Sequence, residues 1–282
     1  MITAVPTMTT SPAAASPASR KPIEPHALRS AHDDLKAVPQ VVRSEWIKLS
    51  TLRANNAILG LTVALGAFTS WSVATLVTDE VLTVSEVFIF STVLTAVLAS
   101  VSGILLFTSE AQHGTLAATL TAQPARWVVA VAKTTMAAAR GFALGAAGIL
   151  AGTVGALLGG LDMGDTSGMA ATTLWALLFT SLASVLGLGV GMIVRHGSVA
   201  LTGLLVWGLV VENMLTLFLS DSVSRFLPFV AGNNLLAIEA DGAFAESAAS
   251  ALSRAQDALL FGGYAAVAVL TGAVLLYRRD TN

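Results

Sequence analysis

Residues 109–133, SEAQHGTLAATLTAQPARWVVAVAK, form the only long polar-containing connection on one side of a sequence whose flanking runs are apolar. Gly114 and Pro124 bracket the middle of this stretch, and glycine and proline in such places are typical of the two ends of a short helix. Leu116 and Leu120 lie four residues apart and therefore share one face of that helix, which could dock in a groove of a soluble partner. The alternative is a solvated loop without a docking role.

The composition is that of an integral membrane protein. Of the 282 residues, 55% are hydrophobic and only 11% are charged, whereas soluble globular chains carry about 25% charged residues. The net charge of −2 provides no basic excess for binding nucleic acid. Because the chain has no cysteine, disulfides and thiolate metal ligands are excluded.

Six apolar runs predict an all-α membrane fold with six spans. Ala57–Val77 is the first, and at 1.5 Å per residue it extends about 31 Å, enough to cross a hydrocarbon core of about 30 Å. Ser220–Ala258 is too apolar for a free loop, so we expect short interfacial or re-entrant helices there, on the extracellular side. The other five spans are predicted at Val87–Thr108, Trp127–Leu158, Thr172–Val194, Val199–Leu219 and Leu259–Tyr277.

Residues 1–39 are rich in Ala, Pro, Ser and Thr and are predicted to be a disordered cytoplasmic tail, which leaves residues 40–282 as one transmembrane domain. From Val38 to Leu52 apolar residues recur at spacings of three and four, which predicts an amphipathic helix in the plane of the lipid headgroups. The residues assigned to this interfacial helix are Trp46, Lys48, Leu49 and Arg53.

Basic residues predict the orientation of the spans. With the N-terminus inside, every Lys and Arg except Arg225 and Arg254 lies on the cytoplasmic side, as the positive-inside rule requires. Both termini and the 109–133 stretch are therefore expected in the cytoplasm.

Glycines mark one face of the third span. Six of them recur at alternating spacings of four and three, so they form a stripe that favours close helix packing, with a smooth conduit wall as the alternative. They are Gly141, Gly145, Gly148, Gly152, Gly155 and Gly159.

Lys133 and Arg140 share one helix face at the start of that span. Their side chains are expected to extend to phosphate headgroups. Alternatively, Lys133 or Arg126 pairs with Glu110 and sets the geometry of the loop.

The sequence offers no catalytic or metal site. It has no phosphate-binding loop, no metal-ligand spacing among its histidines, and no nucleophile elbow or paired carboxylates within a span. Glu212, beside Asn213, is the only acidic residue inside a predicted span. Such a carboxylate usually faces a bundle interior or a cavity, where it contacts cargo or a coupling ion, or serves as a polar packing contact.

The 109–133 stretch resembles the first cytoplasmic loop of ABC-2 type transporter permeases, in which an acidic residue precedes Gly-Thr, a Leu-rich turn, Pro, Arg and a downstream Lys. The segment SEWIKLSTLR, Ser44–Arg53, is similar to the amphipathic helix that precedes the first span in such permeases. Together with the span count, the resemblance covers Val41–Arg279. The matching loop residues are Glu110, Gly114, Thr115, Leu116, Leu120, Pro124, Arg126 and Lys133.

The resemblance implies a subunit of an exporter in the plasma membrane. Two permease chains, either copies or paralogues, would assemble with two copies of a separate ATPase that binds ATP and Mg, so this chain would hold no cofactor. The matched loop and the interfacial helix would seat the ATPase. The expected cargo is amphipathic, lipid-like, drug-like or a peptide. The alternatives are a secondary transporter or channel driven by an ion gradient through Glu212, and a membrane scaffold without transport activity.

Overall fold

The computed structural model describes residues 31–51, 53–77, 84–163, 169–236 and 252–278, and within them every regular element is a helix. A π-helical turn, Trp207–Val211, joins two of these helices into one span. The α-helices are α1 (Ala31–Thr51), α2 (Arg53–Leu76), α3 (Val84–Gln112), α4 (Thr115–Ala122), α5 (Arg126–Leu158), α6 (Met169–Val194), α7 (Gly197–Val206), α8 (Glu212–Phe218), α9 (Asp221–Ser224), α10 (Pro228–Asn234) and α11 (Arg254–Arg278).

Six helical segments of the described residues are long and apolar enough to cross a membrane: α2, α3, α5, α6, the continuous unit from α7 through α8, and α11. The prediction of an all-helical, multi-pass membrane protein is therefore confirmed. Several helices extend beyond their predicted spans, α3 and α11 among them. α3 continues to Gln112, past Thr108, and α11 starts at Arg254, before Leu259.

The N-terminal region differs from the predicted division of the chain. α1 begins at Ala31 and contains Pro39, so residues 31–39, assigned to the tail, are helical. Residues 1–30 of the predicted tail lie outside the described residues. The predicted interfacial helix corresponds to the second half of α1, which packs against α5.

Consecutive spans run in opposite directions, as shown by pairs of residues that contact each other in neighbouring helices. Ser100 of α3 lies against Gly187 of α6, and Ile104 lies against Gly191, so these two helices are parallel. α11 runs the same way, since Ala268 contacts Gly189 of α6 and Gly272, four residues further along α11, contacts Met192. The ends of α3, α6 and α11 consequently meet α4 and the start of α5 at one end of the bundle, called here the α4 end.

α5 is the central helix, and its glycine stripe is packed against the backbones and short side chains of neighbouring helices. A Cβ placed on Gly141 would lie 2.4 Å from the Thr180 carbonyl oxygen of α6, and one on Gly155 would lie 2.1 Å from the Ala67 carbonyl oxygen of α2. Gly148 faces Thr95 of α3 at a similarly short distance. The stripe therefore serves the predicted close packing of helices, because α2, α3 and α6 all approach α5 through it.

Short helices follow the fifth span, as predicted, although residues 237–251 of that segment lie outside the described residues. α10 contacts α6 and α11, and its Gly232 lies against the ring of Phe179. Phe179 is about 15 Å along α6 from Met169. α10 thus enters the bundle from the end opposite α4 and reaches the middle of α6.

Replacing Gly155 by alanine tests the packing of α5. Since the new methyl group must displace the backbone of α2, we expect Gly155→Ala to reduce the free energy of unfolding by about 1–3 kcal/mol and to lower the midpoint of thermal unfolding in detergent. Gly263→Ala in α11 is the matched control, because nothing lies within 4 Å of its new methyl group. An unchanged midpoint for Gly155→Ala would contradict the packing role of the stripe.

Candidate functional site

The short helix predicted between the second and third spans forms with the expected bounds. Gly114 precedes it with φ 72°, in the left-handed region that glycine adopts at little cost. α4 then runs from Thr115 to Ala122, and Gln123 is extended, which fits the residue before a proline. α5 starts at Arg126, so α4 is a separate element held between two spans.

The apolar face of α4 points into the chain's own core, which differs from the expectation that it would fill a groove of a partner. Leu116 is 5% exposed and packs with Phe107 of α3, while Leu120 is packed against the same cluster. An isolated helix of this length is unstable in water, so burial of these leucines fixes α4 to the bundle. The other members of the cluster come from α5, α6 and α11, and are Ala130, Ala137, Leu188, Met192 and Leu276.

The outward face of α4 is small and weakly polar. Its exposed residues are Thr115, Ala117, Ala118, Thr121 and Ala122. This face, rather than that of the two leucines, is the exposed side of α4.

A cluster of four charged side chains lies beside α4. Lys133 Nζ of α5 is 3.0 Å from Glu45 Oε2 of α1 and 3.0 Å from Glu110 Oε1 of α3. Lys48 Nζ is 2.7 Å from Glu45 Oε1 and 3.0 Å from Glu110 Oε1. Each positive group therefore touches both negative groups, and the cluster joins three helices.

The interior of this cluster is shielded from solvent by the surrounding helices. The side chains of Lys133 and Glu45 are each 1% exposed, whereas that of Lys48 is 41% exposed. Buried ions are tolerated only when they are paired and hydrogen-bonded. Since Lys48 is partly in solvent, its pairs contribute less than those of Lys133.

Burial and pairing act in opposite directions on the pKa values of the cluster. Burial raises the pKa of Glu45, but its attraction to Lys133 and its hydrogen bonds from Lys48 and Lys133 outweigh this effect, so that the pKa lies below its usual 4.5. Burial lowers the pKa of Lys48, but its bonds to Glu45 and Glu110 raise it above 10.5. Glu45 therefore stabilises the folded protein at any pH above 4.5, and this stabilisation is lost as the pH falls through the lowered pKa of Glu45 in the folded state. Lys48 stabilises the folded protein at any pH below 10.5, and this stabilisation is lost as the pH rises through the raised pKa of Lys48 in the folded state.

Of the two expectations for Lys133, pairing with Glu110 is confirmed, and extension to lipid headgroups is wrong because the ammonium is enclosed by carboxylates. Arg126 does not join this pair. It donates hydrogen bonds to the carbonyl oxygens of Leu276 and Tyr277, where a cation suits the C-terminal end of α11. Arg140 also binds within the protein rather than headgroups, donating to the Asn55 carbonyl and Ser102 Oγ.

Glu45 is the functional candidate that the sequence reasoning missed. The sequence pattern predicted Trp46 on the buried apolar face of the amphipathic helix, but Trp46 is 59% exposed. The face of α1 that packs on the bundle contains Val38, Val42 and Glu45 instead. An acidic residue in phase with apolar positions, three residues before Lys48, is the signal that could have identified it. Of the other predicted interfacial residues, Leu49 and Arg53 have side chains outside the described part of the chain.

Glu212 is buried, with 2% exposure, and its Oε1 accepts a hydrogen bond of 2.7 Å from the backbone N–H of Val230 in α10. It thus makes the polar packing contact that was one of the two expectations. Asn213 points outward and donates to the carbonyls of Gly208 and Leu209 in the π-turn. The sequence reasoning missed Asp257, which is 1% exposed, because it placed the start of the sixth span at Leu259.

No family model matches the chain, and no curated protein matches it. Among the described residues, no three His, Asp or Glu side chains are grouped closely enough to hold a metal ion. The charge cluster and the outward face of α4 form the candidate site, because four charged side chains from three helices are held together beside the exposed residues of α4.

The stability of the charge cluster can be tested with variants of Lys133. Lys133→Met leaves two carboxylates with Lys48 alone, and we expect a loss of about 3 kcal/mol in the free energy of unfolding, since uncompensated buried charge costs about 3–5 kcal/mol. Glu45→Gln combined with Lys133→Met keeps the pair of Lys48 and Glu110, so at least half of the loss should be recovered. Denaturant titration of the purified proteins measures both values, and a double variant less stable than Lys133→Met would contradict the paired arrangement.

Proposed function

We propose that this chain is the membrane-spanning subunit of an ABC-2 type exporter and that a separate ATPase docks on α4 and the adjacent surface of α1. The observation that carries the proposal is the position of α4, a short helix that presents an outward face of small residues at one end of a six-span bundle. The resemblance of residues 109–133 to the loop of such permeases supports the same assignment.

The packing of α4 supports a mechanical role. Leu116 contacts a cluster formed by α3, α5, α6 and α11, so a force on α4 reaches four spans at once. Glu110, at the end of α3, is paired with Lys133 of α5 and Lys48 of α1. Movement of the partner would therefore be transmitted to the central helix by both apolar packing and ion pairs.

The remaining parts of the proposal follow from charge distribution and family resemblance. The excess of Lys and Arg at the α4 end supports a cytoplasmic location for this end and for both termini of a plasma-membrane protein. ATP and Mg would bind to the ATPase, present in two copies, and the permease would pair with a second copy or a paralogue in the lipid bilayer. The cargo would be amphipathic, lipid-like, drug-like or a peptide, and it would leave past the segment that contains α10.

An ion-gradient transporter or channel would use Glu212, but the Glu212 carboxylate is engaged by the backbone of α10, which favours a structural role for this residue. A membrane scaffold without transport activity would need no rigid helix at the α4 end.

Single cysteines introduced into this cysteine-free chain test the orientation. Asp162 and Ala122 are both exposed, and they lie at opposite ends of the bundle. In intact cells a membrane-impermeant maleimide should therefore label Asp162→Cys, whereas Ala122→Cys should react only after the cells are permeabilised. Labelling of Ala122→Cys in intact cells would overturn the proposed orientation.

Charge on the outward face of α4 tests the docking proposal. Ala118→Arg with Ala122→Arg places two bulky cations on one exposed helix face, and we expect the tagged permease to insert normally but to lose its co-purifying ATPase and its transport activity. Desolvating unpaired charge at an interface costs several kcal/mol, a large part of the roughly 8 kcal/mol that holds a micromolar complex.

The matched control for this test is Ala118→Ser with Ala122→Ser, which keeps the small size of both side chains and should retain the partner. If the arginine variant still co-purifies with a P-loop ATPase and transports normally, α4 does not form the docking surface. If the unmodified chain binds no ATPase in native membranes, the exporter assignment itself is wrong.

A further inference from the structure

α1 has two faces with different chemistry. Val38, Val42 and Glu45 face the bundle, and α1 packs against α5 on this side. Arg43 lies two residues before Glu45 and Ile47 two residues after it, so each is turned by about 200° from Glu45 around the helix. Both side chains are exposed, and they mark the side of α1 that points away from the bundle, called here the outward face of α1.

The outward face of α1 combines cations with large apolar side chains. Lys36, seven residues before Arg43, is exposed on the same side of the helix. Trp46 adjoins Ile47, and these two side chains are 59% and 53% exposed. A helix face of this composition is typical of a helix that lies against lipid headgroups, where apolar groups enter the bilayer and cations meet phosphate.

Exposed apolar side chains on neighbouring spans indicate that the bilayer reaches this part of α1. Because Glu45 pairs with Lys133 of α5, the middle of α1 lies at the level of Lys133. Val131 of α5, two residues before Lys133, is exposed. Val274 of α11 is exposed as well, two residues before Leu276, which packs in one cluster with residues of α5 on both sides of Lys133. Exposed apolar surface on two spans at one level fits contact with lipid rather than with water.

The charges on this side of the molecule favour lipids with a net negative headgroup. Glu45 and Glu110 are turned inward and paired with Lys133 and Lys48. Neither Lys36 nor Arg43 forms an ion pair with a side chain that the structure describes. The exposed charges among the described side chains of α1 are therefore positive, and each cation near an anionic membrane surface strengthens binding about fivefold.

Lipid on this face leaves the docking side of α1 open. Lys48 contacts Glu110, at the end of α3 that leads to α4. It follows Trp46 by two residues and is therefore turned by about 200° from it around the helix. Lipid beside Trp46 and a soluble partner beside α4 thus occupy different sides of α1.

We propose that the outward face of α1 binds anionic phospholipids of the cytoplasmic leaflet, with Lys36 and Arg43 contacting the headgroup phosphates and Trp46 and Ile47 entering the bilayer. The choice of leaflet rests on the proposed orientation of the chain. The lipid contact itself requires only this chain and is measured without an ATPase.

Brominated lipids measure which headgroup lies beside Trp46. Bromine on an acyl chain quenches tryptophan fluorescence on contact, and the signal of Trp46 is the difference between the unmodified chain and Trp46→Phe. The purified chain is reconstituted in mixtures of phosphatidylglycerol and phosphatidylcholine with bromine on only one of the two lipids. Because two cations act together, we expect phosphatidylglycerol to bind about tenfold or more tightly than phosphatidylcholine at low salt, and this preference should shrink at high salt.

Lys36→Gln with Arg43→Gln should bring the ratio of the two binding constants close to one. Arg278→Gln is the matched control, because it removes an exposed cation of α11 at the same end of the bundle, and it should leave the ratio unchanged. Since a ligand of the folded state stabilises it, phosphatidylglycerol should also raise the midpoint of thermal unfolding of the unmodified chain more than that of the double variant.

Equal quenching of Trp46 by the two brominated lipids, or a ratio that the double variant does not change, would overturn the proposal. Quenching by neither lipid would place the outward face of α1 in water and overturn it as well. All these measurements use the permease chain alone, so their failure is distinguishable from failure of the exporter assignment, which is tested by the ATPase that co-purifies.

Discussion

Close approach of helix backbones to α5 is the constraint on which the bundle depends. Inside a bilayer, lipid tails are as apolar as leucine, so helices associate through van der Waals packing and polar contacts rather than through the hydrophobic effect. A stripe without side chains maximises those contacts, and Gly141, Gly148 and Gly155 bring α6, α3 and α2 against the same helix. Because three spans share this one support, the position of α5 determines the position of the others.

The charge cluster fixes how far α1, α3 and α5 are shifted along one another. Apolar contacts between helices are tolerant of small sliding movements, whereas a hydrogen-bonded ion pair is not. Lys133 can contact Glu45 and Glu110 at 3.0 Å only when α1, α3 and α5 are correctly aligned. The penalty for burying these ions offsets much of their attraction, so the cluster contributes more to alignment than to net stability.

The sequence predicted those features that depend on local chemistry. Gly114 and Pro124 defined α4 because each restricts the backbone where it stands, and the glycine spacing on α5 identified a packing stripe because periodicity is a property of one helix. The direction in which Leu116 points was not predictable, since both the core and a partner groove accept a leucine. Glu45 was missed for a related reason: the cost of burying a carboxylate is set by partners such as Lys133 from distant parts of the chain.

The two ends of the bundle are connected by the same two helices. Near the α4 end, Met192 of α6 and Leu276 of α11 belong to the cluster that holds Leu116. Toward the other end, Phe179 of α6 packs against Gly232 of α10, and α10 also contacts α11. Packed helices move as rigid elements. In this protein α6 and α11 contact both the cluster around Leu116 and α10, so a displacement of α4 would be carried to α10 through parts that are already in contact.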